Sequence, residues 1–539
     1  MINFNPDREI KLPLETILST GADSRSQIDA KTGLNKYLCS LSPLTEVISL
    51  GSCTASSISP AGYQAAQEMH QRFLAVGEGE SLRRAIEESN ENVRREMVSM
   101  LTRGLIPGVE LVLTPSGTDA ELLALSLAAG PGNKPICNIL MGPTEVGSGT
   151  QNAASCLHFD NILPSTNTAA IGEPIDQQLA DRTELCKISI RDAAGEIRDS
   201  NEIDCEVKDK IEAAIGQGKN VLLHVIAHSK TGVHAPSLDL IEAMQKQYCE
   251  HLAIVVDAAQ GRFSRRGLLK ALKQGYLVII TGSKFFGGAF FSGGLLVPPQ
   301  MHPARRGLKQ LPSGLGNYIT RDQLPLSWTK LRESMPQNSN IGLALRWVSA
   351  LAEIRNYYLT PSNLRLIVLR AFENILPNVI ESSPHIELIQ SGPPIIDDHA
   401  ERFLQSKTTV FSFILRTGTQ NSVLMNTQQL SDVFRWVNFD ISSFLPDSTP
   451  EIRRSLAPRY HIGQPVLISS DSAFSRSVLR IAIGGVLIAQ ISANTHYGLT
   501  LEHRINWLED QLISLKRKID TIACHYDEIK KAENHLRAL

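Results

Sequence analysis

The period of the apolar positions changes several times along the chain, and the changes mark its elements. Short runs that are apolar on both faces recur through the middle: 109–114 (VELVLT), 136–141 (ICNILM), 221–227 (VLLHVIA), 252–256 (LAIVV) and 277–281 (LVIIT). Strands of this kind suit a buried parallel sheet covered by helices. Between them the spacing becomes helical. A helix is expected over 118–129 with Thr118 as its N-cap, and another opens at Ser237. Alternating β and α elements predict an α/β fold with a mostly parallel sheet. Over 157–220 the order is looser. There 187–191 and 196–198, joined by Asp-Ala-Ala-Gly, read as a hairpin. Prolines near 298–312 and 393–394 mark turns or boundaries.

From about residue 340 the pattern shifts. A helical run (IGLALRWVSALAEIRNYYL) leads to a strand over 409–415, a helix near 428–436 and a late strand over 478–483. That order predicts a smaller α+β domain. The chain then ends in an amphipathic pattern, with Ile505, Leu508, Leu512, Leu515, Ile519, Ile522, Tyr526 and Ile529 at heptad-like spacing. It is read as one C-terminal helix docked on its own domain, with a coiled-coil contact to a partner as the alternative. The expected organisation is an N-terminal segment (1–60), a large domain (61–335), a small C-terminal domain (336–498) and the terminal helix (499–539).

Composition narrows the function classes. The 539 residues suffice for two to four structural units with large cores. Lys plus Arg number 53 against 55 for Asp plus Glu, so charge gives no basis for nucleic acid or an anionic membrane as the main partner. The eight cysteines are scattered without a CxxC pair, which points to neither a metal site nor a disulfide framework. The first residues lack the apolar run of a signal peptide, and no apolar stretch is long enough to span a bilayer. A cytoplasmic protein with reduced thiols is expected.

Three short motifs follow or close predicted strands, where open α/β sheets place their ligands. In Thr114-Pro-Ser-Gly-Thr-Asp-Ala-Glu121 a strand gives way to a helix, and backbone N–H groups with the Ser116 and Thr118 hydroxyls make an anion cradle. Taken alone, such a stretch is an ordinary cap. In Val255-Val-Asp-Ala-Ala-Gln260 a carboxylate, Asp257, ends an apolar strand and needs a partner. A surface turn would be the bland reading, and a protonated heterocyclic nitrogen the functional one. In Thr281-Gly-Ser-Lys-Phe-Phe-Gly-Gly288 a lysine, Lys284, sits among apolar neighbours, where burial favours the neutral, nucleophilic amine. Together, a phosphate cradle, an Asp and a Lys after the next strand meet the needs of pyridoxal phosphate.

On these motifs, with HSKTGVHAP (228–236), TGSK (281–284), RYHIGQP (459–465) and VLRIAIG (478–484), the chain resembles the fold type I pyridoxal phosphate enzymes. Within them it is most similar to the class V aminotransferase and cysteine desulfurase group, over roughly residues 50 to 485. The resemblance implies that Ser116, Gly117 and Thr118 hold the cofactor phosphate with help from Ser283. It implies that Asp257 pairs with the pyridine nitrogen, that Gln260 sits near the phenolic oxygen, and that Lys284 forms the Schiff base. Arg480 would bind the substrate α-carboxylate, a task suited to a planar bidentate fork; a structural salt bridge is the alternative. It further implies a homodimer, with a glycine-containing loop at 291–295 approaching the partner's phosphate. The stretch 50–57 is a candidate for the substrate entrance.

Two departures shape the expected chemistry. Where desulfurases of this group carry a ring-stacking His, this chain reads Thr144-Glu-Val-Gly-Ser148, leaving Glu145 or Val146 to face the ring, with His158 a distant structural histidine. Where one branch has a sulfur-accepting Cys, this chain has Ile462, and the only cysteine after Lys284 is Cys524. The expectation is therefore α-carbon chemistry on an amino acid or amine without a catalytic thiol: an aminotransferase first, a lyase (β-elimination or decarboxylation) as the alternative. A non-catalytic regulatory or binding protein on this scaffold is a third reading.

Overall fold

The structure, a computed structural model, describes residues 4–389, 409–418, 423–469, 475–493 and 500–538. The turn expected at 393–394 lies outside the described residues. The strands in chain order are β1 (Val47–Leu50), β2 (Glu110–Thr114), β3 (Ile136–Met141), β4 (Thr183–Ile188), β5 (Asn220–Ile226), β6 (Leu252–Asp257), β7 (Leu277–Thr281), β8 (Gly293–Val297), β9 (Ile386–Ile389), β10 (Val410–Thr417), β11 (Val423–Leu424), β12 (Arg459–Leu467) and β13 (Ser477–Ala482).

The larger sheet has seven strands in the order β2-β8-β7-β6-β5-β3-β4. From β7 to β4 every pairing is parallel, while β8 runs antiparallel to both β2 and β7. This is the mostly parallel, helix-covered sheet expected from the apolar runs. β3, β7 and β8 are buried at every position, which is why their sequences lack alternation. The helix Gly117–Ala129 is likewise buried on all sides, packed on β5, β7 and β8.

The hairpin expected at 187–198 is present in short form: Arg191 pairs antiparallel with Ile197, the Arg198 N–H donates to the Ile190 carbonyl at 3.1 Å, and the chain turns at Asp192-Ala-Ala-Gly195. What the sequence does not show is that Lys187 and Ile188 end β4, an edge strand parallel to β3. β4 is mostly half-buried or exposed, with Glu184 and Lys187 facing out, so its sequence does not read as a core strand.

A second sheet has the order β1-β12-β13-β10-β11, with β9 paired to β10. β1 comes from the N-terminal segment and lies parallel to β12, Leu50 opposite Ile462. That segment is further tied down by Arg346, on the buried helix Ile341–Leu359. The Arg346 guanidinium donates to the carbonyls of Leu18 (2.9 Å), Thr20, Gly21 (3.1 Å) and Phe291 (2.8 Å).

The C-terminal pattern forms two helices, not one: Leu501–Cys524 and Tyr526–Ala538. His525 leaves helical geometry at φ −108°, ψ 26°, and Asp527 and Glu528 stand in the next first turn, where acidic groups favour a fresh helix start. Leu508, Leu512, Leu515, Ile519, Ile522 and Ile529 are buried in the same core as Trp436 and Leu456. The first of the two helices packs on Ser362–Glu381, Thr427–Asn438 and Pro450–Leu456. Among the described residues no helix is long and apolar enough to cross a membrane.

Candidate active site

One cavity lies beyond the carboxyl ends of β5, β6 and β7, and Ser116, Gly117, Thr118, Asp257, Gln260, Ser283, Lys284 and Arg480 all line it. The large sheet carries all of these but Arg480, which comes from β13 of the second sheet. The cavity thus sits between the two sheets.

At one end the helix Gly117–Ala129 opens toward the cavity. Its N-cap is Ser116, not Thr118: the Ser116 backbone is extended, and its hydroxyl accepts from the N–H groups of Thr118 and Asp119. The same hydroxyl donates to the Asp119 carboxylate. Burial, then nearby Asp23, pushes the Asp119 carboxyl up to about 7 against the pull of Ser116 and Arg25. A Cβ at Gly117 would lie 3.2 Å from Ile279 and 3.4 Å from Ala259. A Cβ at Gly293 would come within 2.4 Å of the Ser116 carbonyl carbon. Of the loop expected at 291–295, residues 293–295 are strand, and this part of the expectation is corrected. Gly293 and Gly294 are the start of β8, and they are glycines because the chain's own Ser116 and Leu111 fill the space.

Asp257 ends β6 and accepts from the Ala259 N–H at 3.0 Å. Its other oxygen lies 4.0 Å from Nε2 of His224 on β5, which lies 3.3 Å from the Glu121 carboxylate. Both His224 and Glu121 are fully buried. The 3.3 Å approach is not an aligned hydrogen bond, and Glu121 takes its own from the Asn138 amide at 3.2 Å. Burial raises the Glu121 carboxyl, opposed by His224 and Asn138. Asp257 is therefore not a surface turn residue but one end of a buried titratable row.

Lys284 follows β7. Burial pushes its ammonium down; Asp257 opposes this, while Arg480 and Arg25 add to it. Gln260 donates to the Cys53 carbonyl at 3.0 Å, and its Oε1 is buried without a partner. Arg480, 1% exposed, donates to the carbonyls of Lys230 (3.0 Å) and Gln464 (2.9 Å) and to the Thr54 hydroxyl (2.9 Å). Its Nε is buried without a partner. Within the described residues Arg480 has no carboxylate partner in ion-pair range, so the salt-bridge alternative is not what is seen.

Glu145 and Val146 both reach the cavity wall. Glu145 is committed elsewhere: it pairs with Arg191 and accepts from the hydroxyls of Ser229 and Thr231. His158 is bonded to the Tyr318 hydroxyl at 2.7 Å and stacked on that ring, outside the cavity.

Sequence reasoning missed the wall supplied by the N-terminal segment. Arg25, Tyr37, Cys53 and Thr54 all line the cavity. Arg25 makes a two-point pair with Asp23, approaches the Ser116 hydroxyl at 3.3 Å and lies over the Phe291 ring. Cys53, from the 50–57 stretch, brings a thiol to the cavity wall, where the sequence reading expects no catalytic thiol; a Cβ at Gly463 would come within 2.6 Å of its sulfur. The 50–57 stretch hinted at this wall; nothing local in sequence marks Arg25. Lys230 and His228 also line the cavity, from the HSKTG stretch. Burial, then Arg262 and His234, holds the His228 imidazole down at about 3, so it is neutral at ordinary pH. Among the described residues no group of three or more His, Cys, Asp or Glu side chains is placed to hold a metal ion.

No family model and no curated protein matches the sequence. Among solved structures, the chain is similar to a C-DES mutant with glycine covalently linked to its PLP cofactor, at 12% identity and TM-score 0.49, covering 87% of this chain and 97% of that one. It is similar to mouse CSAD at 14% identity and TM-score 0.48, covering 86% and 83%. It is also similar to SPT with PLP at 12% identity and TM-score 0.47, covering 88% of each.

Proposed function

We propose that this chain is a pyridoxal phosphate-dependent enzyme acting at the α-carbon of an amino acid or amine, with transamination as its reaction. The observation that carries the reading is the convergence on one cavity of Lys284, Asp257, the Ser116-capped helix start and, from the other sheet, Arg480. The polar groups left open there fit the cofactor. The helix start suits a phosphate, with the Thr118 and Ser283 hydroxyls beside it. The unpartnered Gln260 Oε1 is free to meet the ring's substituents, and Asp257 would pair with the ring nitrogen. Burial keeps the Lys284 amine poised to lose its proton, as attachment to an aldehyde requires.

Bound pyridoxal phosphate supplies an electron sink for the pair released at the substrate α-carbon. The protein's part is to bind and aim. Arg480 offers its unpartnered Nε to an α-carboxylate and is itself fixed by backbone carbonyls, so little rotamer freedom remains to be lost. The Lys284 amine, in the same cavity, takes and returns the α-proton. Phe290, Phe291 and Val146 supply apolar wall that keeps water away.

A lyase reaction uses the same groups with a different bond aligned. Products separate the two: a 2-oxo acid formed only with an amino acceptor supports transamination, whereas ammonia or carbon dioxide released without one supports the lyase. A homodimer in the cytoplasm completes the reading; all eight cysteines are free thiols, as a reducing compartment would keep them. The primary test is borohydride reduction of the purified, pyridoxal phosphate-reconstituted protein followed by peptide mapping. The label is expected on Lys284, and Lys284→Ala should lose the visible absorbance while keeping its melting temperature. No label at Lys284 in the wild type refutes the proposal.

A further inference from the structure

We propose that Lys230 is a specificity-determining residue that receives a second anionic group on the substrate's side chain, the α-carboxylate going to Arg480. This rests on the function proposed above and names its substrate class: amino acids bearing an acidic side chain.

Lys230 follows β5, and its main chain is held on both sides. Its N–H donates to the Glu145 carbonyl at 2.9 Å, and its own carbonyl accepts from Arg480 at 3.0 Å. The lysine is thereby built onto the carboxylate anchor, and its side chain lines the same cavity. The partner of its ammonium is the Thr144 carbonyl, at 3.3 Å, a neutral group. The nearby carboxylate, Glu145, is taken by Arg191, Ser229 and Thr231. The other charges that act on it are cations: Arg480, Lys284 and Arg25.

The remaining cations of the cavity already have work. Arg25 is paired with Asp23 and stands by Ser116, Lys284 faces Asp257, and Arg480 has its unpartnered Nε for one carboxylate. Among the described residues, Lys230 is a cavity cation with no carboxylate in ion-pair range. Burial, then Arg480 and Lys284, hold its ammonium down to about 8, with Glu145 opposing, so it is still mostly charged at pH 7. A partly desolvated ammonium among like charges is costly without a counter-charge. A carboxylate, sulfonate or phosphonate arriving with the substrate provides one.

The test uses the cofactor-loaded protein and unreactive acids of matched length. Calorimetric titration should show glutarate binding at least tenfold more tightly than butyrate. Lys230→Met should bring that ratio close to one while the protein keeps its hold on butyrate and its visible absorbance. Lys230→Arg should restore the preference, which a merely structural role would not predict. Titration with 4-sulfobutyrate and 4-phosphonobutyrate identifies which headgroup the subsite prefers. An absence of preference in the wild type, a preference kept by Lys230→Met, or loss of absorbance in that variant overturns the inference. Failure of the underlying function looks different: the wild type then shows neither absorbance nor a label at Lys284.

Discussion

Replacing Arg346 with Met should loosen the N-terminal segment from the cavity without unfolding the two sheets. The side chain is fully buried, and burial alone pushes its guanidinium down to about 9 despite help from Asp119, Glu9 and Asp23. It donates to the carbonyls of Leu18, Thr20, Gly21 and Phe291. Of these, Gly21 keeps a second donor, the Asn340 amide at 2.9 Å. The other carbonyls lose the guanidinium on substitution, and each buried acceptor left bare costs about 1–3 kcal/mol. Against that stands the relief of no longer burying a charge, worth several kcal/mol. Methionine fills most of the volume but donates nothing, so the carbonyl cost survives and part of it is offset. A net loss of about 3 kcal/mol follows, roughly a hundredfold in the local opening equilibrium. Hydrogen exchange of amides over 14–26 reads this directly, with amides of β5 and β6 as internal controls. Acceleration of about a hundredfold confined to the segment is expected. A change below about threefold, or equal acceleration in the control strands, refutes the reasoning.

Two further substitutions probe the packing around the site and the C-terminal helices. Gly293→Ala places a methyl group against the Ser116 backbone, 2.4–2.7 Å from its nearest atoms, and should cost about 1–3 kcal/mol in urea melts and weaken phosphate-dependent cofactor binding; unchanged stability and affinity would show that the helix start has slack. Lys518 is fully buried, bonded to the carbonyls of Phe439 and Pro458, and burial pushes its ammonium down to about 7. Between about pH 7 and pH 10 the unfolded chain therefore binds more protons at this position than the folded one, so its contribution makes stability rise with pH across that window. Lys518→Met should remove that slope, and an unchanged pH profile of the midpoint denaturant concentration would count against it.

Five strands of the large sheet, β2, β3, β5, β6 and β7, were legible because near-complete burial leaves an apolar run, and the motifs were legible because they sit at the ends of those strands; β8 was not, because its paired glycines read as a loop. Ser116 and Thr118 both carry hydroxyls, so the sequence does not distinguish them as N-caps; the backbone, extended at Ser116, does. β4 escaped because an edge strand carries Glu184 and Lys187 and so loses its apolar signature. The break at His525 escaped because the heptad spacing runs straight through it: Ile522, Tyr526 and Ile529 continue the stripe on the second helix. The N-terminal wall was illegible for a different reason. Arg25 reaches the cavity through contacts of long sequence separation, among them Ser116, and no local pattern records which distant turn an arginine will meet.

The charges of the cavity come from three separate parts of the chain. Arg25 arrives with the N-terminal segment, Lys230 and Lys284 with the large sheet, and Arg480 with the second sheet. Each of Lys230 and Lys284 is pushed down first by burial and then by the other cations. Lys230 and Lys284 already repel each other within the large sheet, and Arg480 and Arg25 add to that repulsion as the other parts close on it. On the proposed reading, a phosphate at the helix start and carboxylates at Arg480 and Lys230 would offset that repulsion. Closure and ligand binding would then be thermodynamically linked: an anion touching all three parts would also hold the N-terminal segment and the second sheet against the first.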